Sequence, residues 1–187
     1  MARNFASIAF TPAVQKLQEQ FGSRSAYARM EKQVYQDGLT ESEMGFIAER
    51  DSFYMASIGA NGFPYIQHRG GPAGFMQAID AKTVAFVDVR GNQQFISIGN
   101  ISERPNVSLI LMDYPQRTRL KLYTKAEVIP LEQDPELVRR LMPVGFKARP
   151  ERVVLLHVEA YDWNCPQHIT PRYTVEEIRR AFETDAE

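Results

Sequence analysis

The chain has 187 residues, 44% of them hydrophobic and 24% charged, with a formal net charge of −1. These totals suit one domain with a real core, and the near-zero charge excludes the basic surplus that non-specific nucleic-acid or anionic-membrane binding needs. One cysteine, Cys165, and three histidines exclude an internal disulfide and a cysteine-rich zinc site.

The N-terminus lacks the apolar core of a signal peptide, and no apolar run reaches transmembrane length, so the expected location is the cytoplasm. Thr11-Pro12 starts a helix, with a capping hydroxyl and a proline whose missing N–H costs nothing there. Val14, Leu17, Phe21 and Ala28 then predict one apolar stripe reaching about Lys32, with Gly22 as a weak point. Thr40 and Glu43 form a capping box that opens a second helix to Arg50, with Met44, Ile47 and Ala48 on one face.

From Ser52 the pattern turns to strands. Phe53 to Ile58 and Pro64 to Arg69 flank Asn61-Gly62, which predicts a tight hairpin turn. Further strands are expected at Gly74–Ile79, Thr83–Asp88, Val107–Met112, Leu120–Ile129 and Arg152–Trp163. In Leu120–Ile129 apolar and polar residues alternate, as on a sheet with one wet face. Short helices are expected from about Asn92, from Asp134-Pro135, and from the capping box of Thr174 with Glu177. Connectors this short cannot carry parallel crossovers, so the fold class is α+β around an antiparallel barrel. The expected layout is a single domain over 1–187. It comprises a helical extension at 1–50, a barrel at 52–165, and a C-terminal segment with a helix at 166–187.

The chemistry concentrates between Pro64 and Pro105. Gln67-His68-Arg69-Gly70-Gly71 and Asp88-Val89-Arg90-Gly91-Asn92-Gln93-Gln94 both end an apolar run with glycine beside cationic or amide side chains. Glycine lets backbone approach a ligand, and arginine grips phosphate through a forked donor set. The plain alternatives are a surface arginine at Arg69 and an asparagine helix cap at Asn92. Together the two corners predict one anion site, with Ser97 and Asn100 one helical turn apart on a shared face. Neither corner fits a Walker or dinucleotide pattern. His68 reads as a cofactor contact rather than an acid–base group, and His157 as structural. Trp163, His168 and Arg172 could line a ring-shaped ligand or simply pack a C-terminal tryptophan. Cys165 has no nearby base and reads as a packed or partly exposed thiol. The chain shows no nucleophile motif or spaced carboxylate pair, which fits a protein whose cofactor carries the chemistry.

Tyr65–Phe75, Ala85–Ile101, Pro105–Met112, Leu120–Val128 and Trp163–Ile169 together resemble the pyridoxamine 5'-phosphate oxidase-related flavoproteins. The resemblance spans roughly Ser52 to Arg172. It implies a six-stranded antiparallel split β-barrel with flanking helices, a homodimer, and FMN bound at the subunit interface. Arg69 and the Arg90–Asn100 connector stand where the family holds the phosphate. On that reading Arg69, Arg90, Asn92, Gln94, Ser97 and Asn100 contact it, while Gln67, His68 and Asp88 line the ring or ribityl chain. Arg119 and Lys121 match the strand that approaches the flavin, and Trp163 and Arg172 resemble the residues that close the site. Two features depart from the oxidase itself. Ile96-Ser97 stands where it has an Arg-Lys pair, and His168-Ile-Thr-Pro-Arg172 replaces its Arg-x-His pair. These departures weigh against vitamin B6 oxidation, and the resemblance therefore implies an FMN-dependent oxidoreductase acting on an unidentified small molecule. A non-catalytic flavin or haem carrier, or a deazaflavin-dependent reductase, are the alternatives on the same barrel.

Overall fold

A computed structural model describes residues 4–32, 37–164 and 166–184. Among these the chain forms seven strands rather than six: β1 (Ser52–Ile58), β2 (Pro64–Gly70), β3 (Met76–Asp80), β4 (Thr83–Val89), β5 (Asn106–Asp113), β6 (Thr118–Pro130) and β7 (Pro150–Asn164). They form one sheet in the order β2-β1-β5-β6-β7-β4-β3, and every pairing is antiparallel. Strands β2 and β3 are the sheet's two edges and do not pair with each other. Yet Phe53, Met55, Met76, Phe86, Leu109, Leu120 and Leu156, from both halves of the sheet, share one buried cluster. The sheet therefore curls its inner face onto itself and stays split along the β2/β3 seam. Phe53 bridges that interior, 5.7 Å from Phe75 and 5.3 Å from Phe86.

The continuous apolar run of β4 has a second cause. Ala85 and Val87 face outward into another buried cluster with Ile129, Leu141 and Val153, beneath helix α6 (Pro135–Leu141). A strand covered on both faces loses the alternation of a half-wet one. Asp134 caps α6 by accepting from the Leu137 N–H at 2.9 Å, as its sequence predicts.

Helices α1 (Phe5–Ala9), α2 (Pro12–Gln20) and α3 (Arg24–Glu31) precede the sheet. The expected single helix breaks at Gly22, whose φ of 75° is left-handed. The predicted apolar stripe does not face the core: Leu17 is 55% and Phe21 77% exposed, while Gln18 is the buried residue of α2. Helix α2 packs chiefly on α3, so its apolar stripe meets no buried barrel face. The Asn61-Gly62 turn is also wider than expected. Residues 59–63 form the loop, with Gly62 left-handed and the Phe63 N–H donating to Asn61 Oδ1 at 3.0 Å. His157, within the apolar run of β7, lies on the strand's exposed face, 3.0 Å from Glu127. Cys165 lies outside the described residues.

Helix α4 (Glu41–Ala48) carries both halves of its predicted capping box. Ile47 enters the core with Met44 packed against it, but Ala48 is exposed. Glu43 does more than cap, because it also accepts from Trp163 Nε1 at 2.7 Å, and Trp163 lies edge-on to Phe46 at 4.8 Å. One carboxylate thus fastens α4 to the end of β7. Burial by itself raises the Glu43 carboxyl. The hydrogen bonds from the Thr40 side chain, Trp163 and the Thr40 backbone outweigh it and hold the group below its ordinary value. With the folded value below the unfolded one, this stabilisation is complete above the unfolded pKa and is lost as pH falls through the folded one. Glu43→Gln should cost about 1–3 kcal/mol at neutral pH, read by urea unfolding. The gap between wild type and variant should shrink in acid; a gap independent of pH would contradict the assignment.

Candidate functional site

A cavity of about 210 Å³ lies where the end of β2, the end of β4 and the start of β7 converge. Gln67 and Arg69 reach it from β2, Asp88 from β4, and Glu151 and Arg152 from β7. The loop from Gly91 to Phe95 and the first turn of α5 (Ile96–Glu103) complete the wall. Antiparallel register sets Asp88 directly opposite Arg152. Arg69 arrives from the other edge of the sheet.

Asp88 is almost wholly buried and its carboxylate is shared. Arg69 Nη1 donates to one oxygen, and Arg152 Nη1 donates to the other at 2.9 Å. Arg152 Nη2 also meets Glu151 at 2.9 Å, and its guanidinium lies 5.3 Å from the Phe95 ring centre. Arg69 Nε is buried and has no hydrogen-bond partner among the described residues. Such a donor is costly to leave unmatched, and here it belongs to a cavity-lining side chain. Ser97 donates to Gln67 Oε1 at 2.9 Å, which fixes that amide against α5.

The loop itself is strained. Gln93 and Phe95 have φ of 60° and 55°, in the left-handed region that L side chains seldom adopt. The expected helix start near Asn92 is wrong by one turn. Asn92 Oδ1 accepts from the Gln94 N–H at 3.2 Å, a local turn that replaces a helix cap. Helix α5 starts only at Ile96, and its N-cap residue, Phe95, makes no side-chain capping bond.

The structure brings together Gln67, Arg69, Asp88, Asn92, Gln94 and Ser97, and separates the other sequence candidates from them. His68 alternates to the outer face of β2, with its ring 5.4 Å from Tyr54. Consecutive strand residues point to opposite faces, so Gln67, His68 and Arg69 cannot share one wall. Arg90 is exposed beyond the end of β4 and does not line the cavity. Asn100 donates to the buried Ser57 Oγ at 3.0 Å and so holds α5 to β1. Lys121 pairs with Asp162 at 3.1 Å, and together with Trp163 it lines another cavity of about 390 Å³ beneath Phe5, Phe10 and Tyr27. Arg119 sits on β6 opposite Met112. Arg172 lies 5.0 Å from the Tyr114 ring centre, at a third cavity. Most of the length of β7 divides Arg152 from Trp163, on the order of 30 Å at about 3.3 Å per residue.

Sequence reading missed Arg152, Glu151 and Phe95. The available signal was a charge at the end of each of two apolar runs, Thr83–Asp88 and Arg152–Val158. Opposite charges so placed suit a cross-strand pair.

The fold and the cavity define a class: a split antiparallel barrel with a two-arginine pocket beside a helix start. Residues 39–163 match the pyridoxamine 5'-phosphate oxidase family, and the chain belongs to it. No functionally curated protein matches the sequence. Among solved structures, HupZ from Group A Streptococcus is 19% identical, covering 72% of this chain and 99% of its own, with a TM-score of 0.51. A provisionally named pyridoxamine 5'-phosphate oxidase from Lactobacillus delbrueckii is 20% identical, covering 69% and 97%, at 0.51. An FMN-binding protein from Syntrophomonas wolfei is 7% identical, covering 79% and 97%, at 0.50. These are likenesses of fold.

Asn100→Ala leaves the Ser57 hydroxyl buried without its donor. Unfolding in denaturant should register a loss of about 1–3 kcal/mol. An unchanged midpoint would show that this bond does not hold α5 to the barrel.

Proposed function

We propose that the chain is an FMN-binding flavoprotein that oxidises or reduces a small molecule, with the flavin phosphate held in the cavity of Arg69 and Arg152. The observation that carries this reading is the buried, unmatched Nε of Arg69 in a pocket that also holds a second guanidinium. The donor set fits a phosphate. Two forked cations, the side-chain amides of Asn92 and Gln94, and the uncapped start of α5 all supply N–H groups. When bound, FMN supplies the electron and hydride transfer. The chain's own residues anchor its phosphate and orient the rest of the molecule. Gln67, held by Ser97, borders the same cavity and suits a contact with the polar chain beyond the phosphate.

The reading also calls for a second copy of the chain. Arg119, Lys121, Trp163 and Arg172 lie far from the phosphate pocket of their own chain, so only a partner's set could complete it. The outer face of β1 and β2 suits such an interface. Tyr54 and Ile58 are about two-fifths exposed, and Ile66 is 66% exposed. Beside them an apolar cavity of about 470 Å³ is lined by Ile8, Ala56, Ile58, Pro64 and Tyr123. Contiguous apolar surface of this kind marks interaction faces. No helix among the described residues is long and apolar enough to cross a membrane.

Incubation with FMN, followed by gel filtration, should leave stoichiometric flavin absorbance on the protein; colourless protein would overturn the proposal. Arg69→Ala should weaken FMN binding roughly ten- to a hundredfold, the equivalent of about 1.5–3 kcal/mol for a charge-assisted contact. An equal Kd would clear Arg69 of the role. Ile66→Lys should convert a dimer to a monomer by light scattering and lower flavin retention. A variant that stays dimeric would move the interface elsewhere.

A further inference from the structure

We propose that Asp88 is the internal counter-ion of the phosphate pocket, competing with the ligand for the same arginine donors, and that Arg152 is the second anion-binding cation. The inference rests on the FMN reading above and goes beyond it to how the pocket selects its ligand.

The geometry points to competition. Asp88 uses both carboxylate oxygens, one on Arg69 and one on Arg152. Glu151 takes a further donor of Arg152. The lining thus sets two guanidinium groups against two carboxylates, and its formal charge cancels before any ligand enters. Two partly buried guanidinium groups set together without a counter-charge would destabilise the fold, so Asp88 explains how the pocket keeps both cations. The same arrangement opposes an incoming anion. A phosphate must win guanidinium donors from Asp88 and accept a nearby negative charge. A phosphate monoester dianion, with three acceptor oxygens, can bridge the two cations and the unmatched Arg69 Nε; a single carboxylate has less to offer. Asp88 therefore sets a threshold that favours phosphate monoesters over weaker anions. Phe95 backs Arg152 from the strained loop and helps hold its guanidinium at the pocket wall.

The test is the ratio of FMN to riboflavin affinity, since the two differ only in the phosphate. In wild type FMN should bind the more tightly. Asp88→Asn should raise FMN affinity about tenfold, leave riboflavin affinity unchanged, and lower the melting temperature of the ligand-free protein. Asp88→Glu, which keeps the carboxylate, should keep the wild-type ratio. Arg152→Gln should lower the ratio about tenfold. A purely structural Asp88 would lower FMN and riboflavin affinity together in Asp88→Asn, and that result overturns the proposal, as does an unchanged ratio. Should Asp88→Asn fail to fold, Arg152→Gln decides, and an unaltered ratio there is equally fatal. Equal binding of FMN and riboflavin by wild type is a different failure. It removes the phosphate pocket itself, and with it the ground for Asp88's role.

Discussion

The bridge from Arg69 through Asp88 to Arg152 holds the site together. The sheet leaves β2 and β3 unpaired, so no backbone ladder ties the two edges of the barrel. The Arg69–Asp88 ion pair crosses that gap, linking edge strand β2 to β4, while register alone sets Asp88 against Arg152. Charge does here what hydrogen-bonded strands do elsewhere in the barrel. It works because Asp88 is nearly excluded from water, where an ion pair is screened far less than at the surface. The cavity lies where these three side chains meet at the ends of three strands.

The rest of the chain supports that convergence. Helix α6 covers the outer face of β4, so the strand that carries Asp88 is buried on both sides. Helix α5 is tied to β2 through Ser97 and Gln67 and to β1 through Asn100 and Ser57. Glu43 fastens α4 to the other end of β7, where Trp163 lies. One long strand thus carries Arg152 at its start and Trp163 near its end. A ligand that needs both ends must draw them from two chains, which ties the proposed cofactor site to the proposed dimer.

Much of the fold was legible because local chemistry decided it. The Thr40–Glu43 and Thr174–Glu177 boxes and the Asp134 cap each start a helix where the sequence places one. Strand alternation was legible in β6, where one face is wet. It was overlooked at Gln67-His68-Arg69, where chemical likeness outweighed the rule that neighbours on a strand diverge. The loop after β4 was misread because an asparagine can cap a helix or make its own turn, and only the surrounding structure chooses. Leu17 and Phe21 show a different limit: an apolar stripe says that something covers it, not what. Arg152 is signalled only faintly, by its charge at the end of an apolar run. Its pairing with Asp88 depends on the β4–β7 register, and 64 positions separate the two in sequence.

The central claim, that the glycine-rich ends of β2 and β4 grip one phosphate, can be tested at a single atom. Proton–nitrogen NMR of arginine-labelled protein resolves the Nε–H of Arg69, the buried donor that has no partner among the described residues. Adding FMN should move that proton strongly downfield as it gains a charged acceptor, and riboflavin should not. An Arg69 signal unmoved by FMN, in protein whose absorbance shows the flavin bound, would contradict the account.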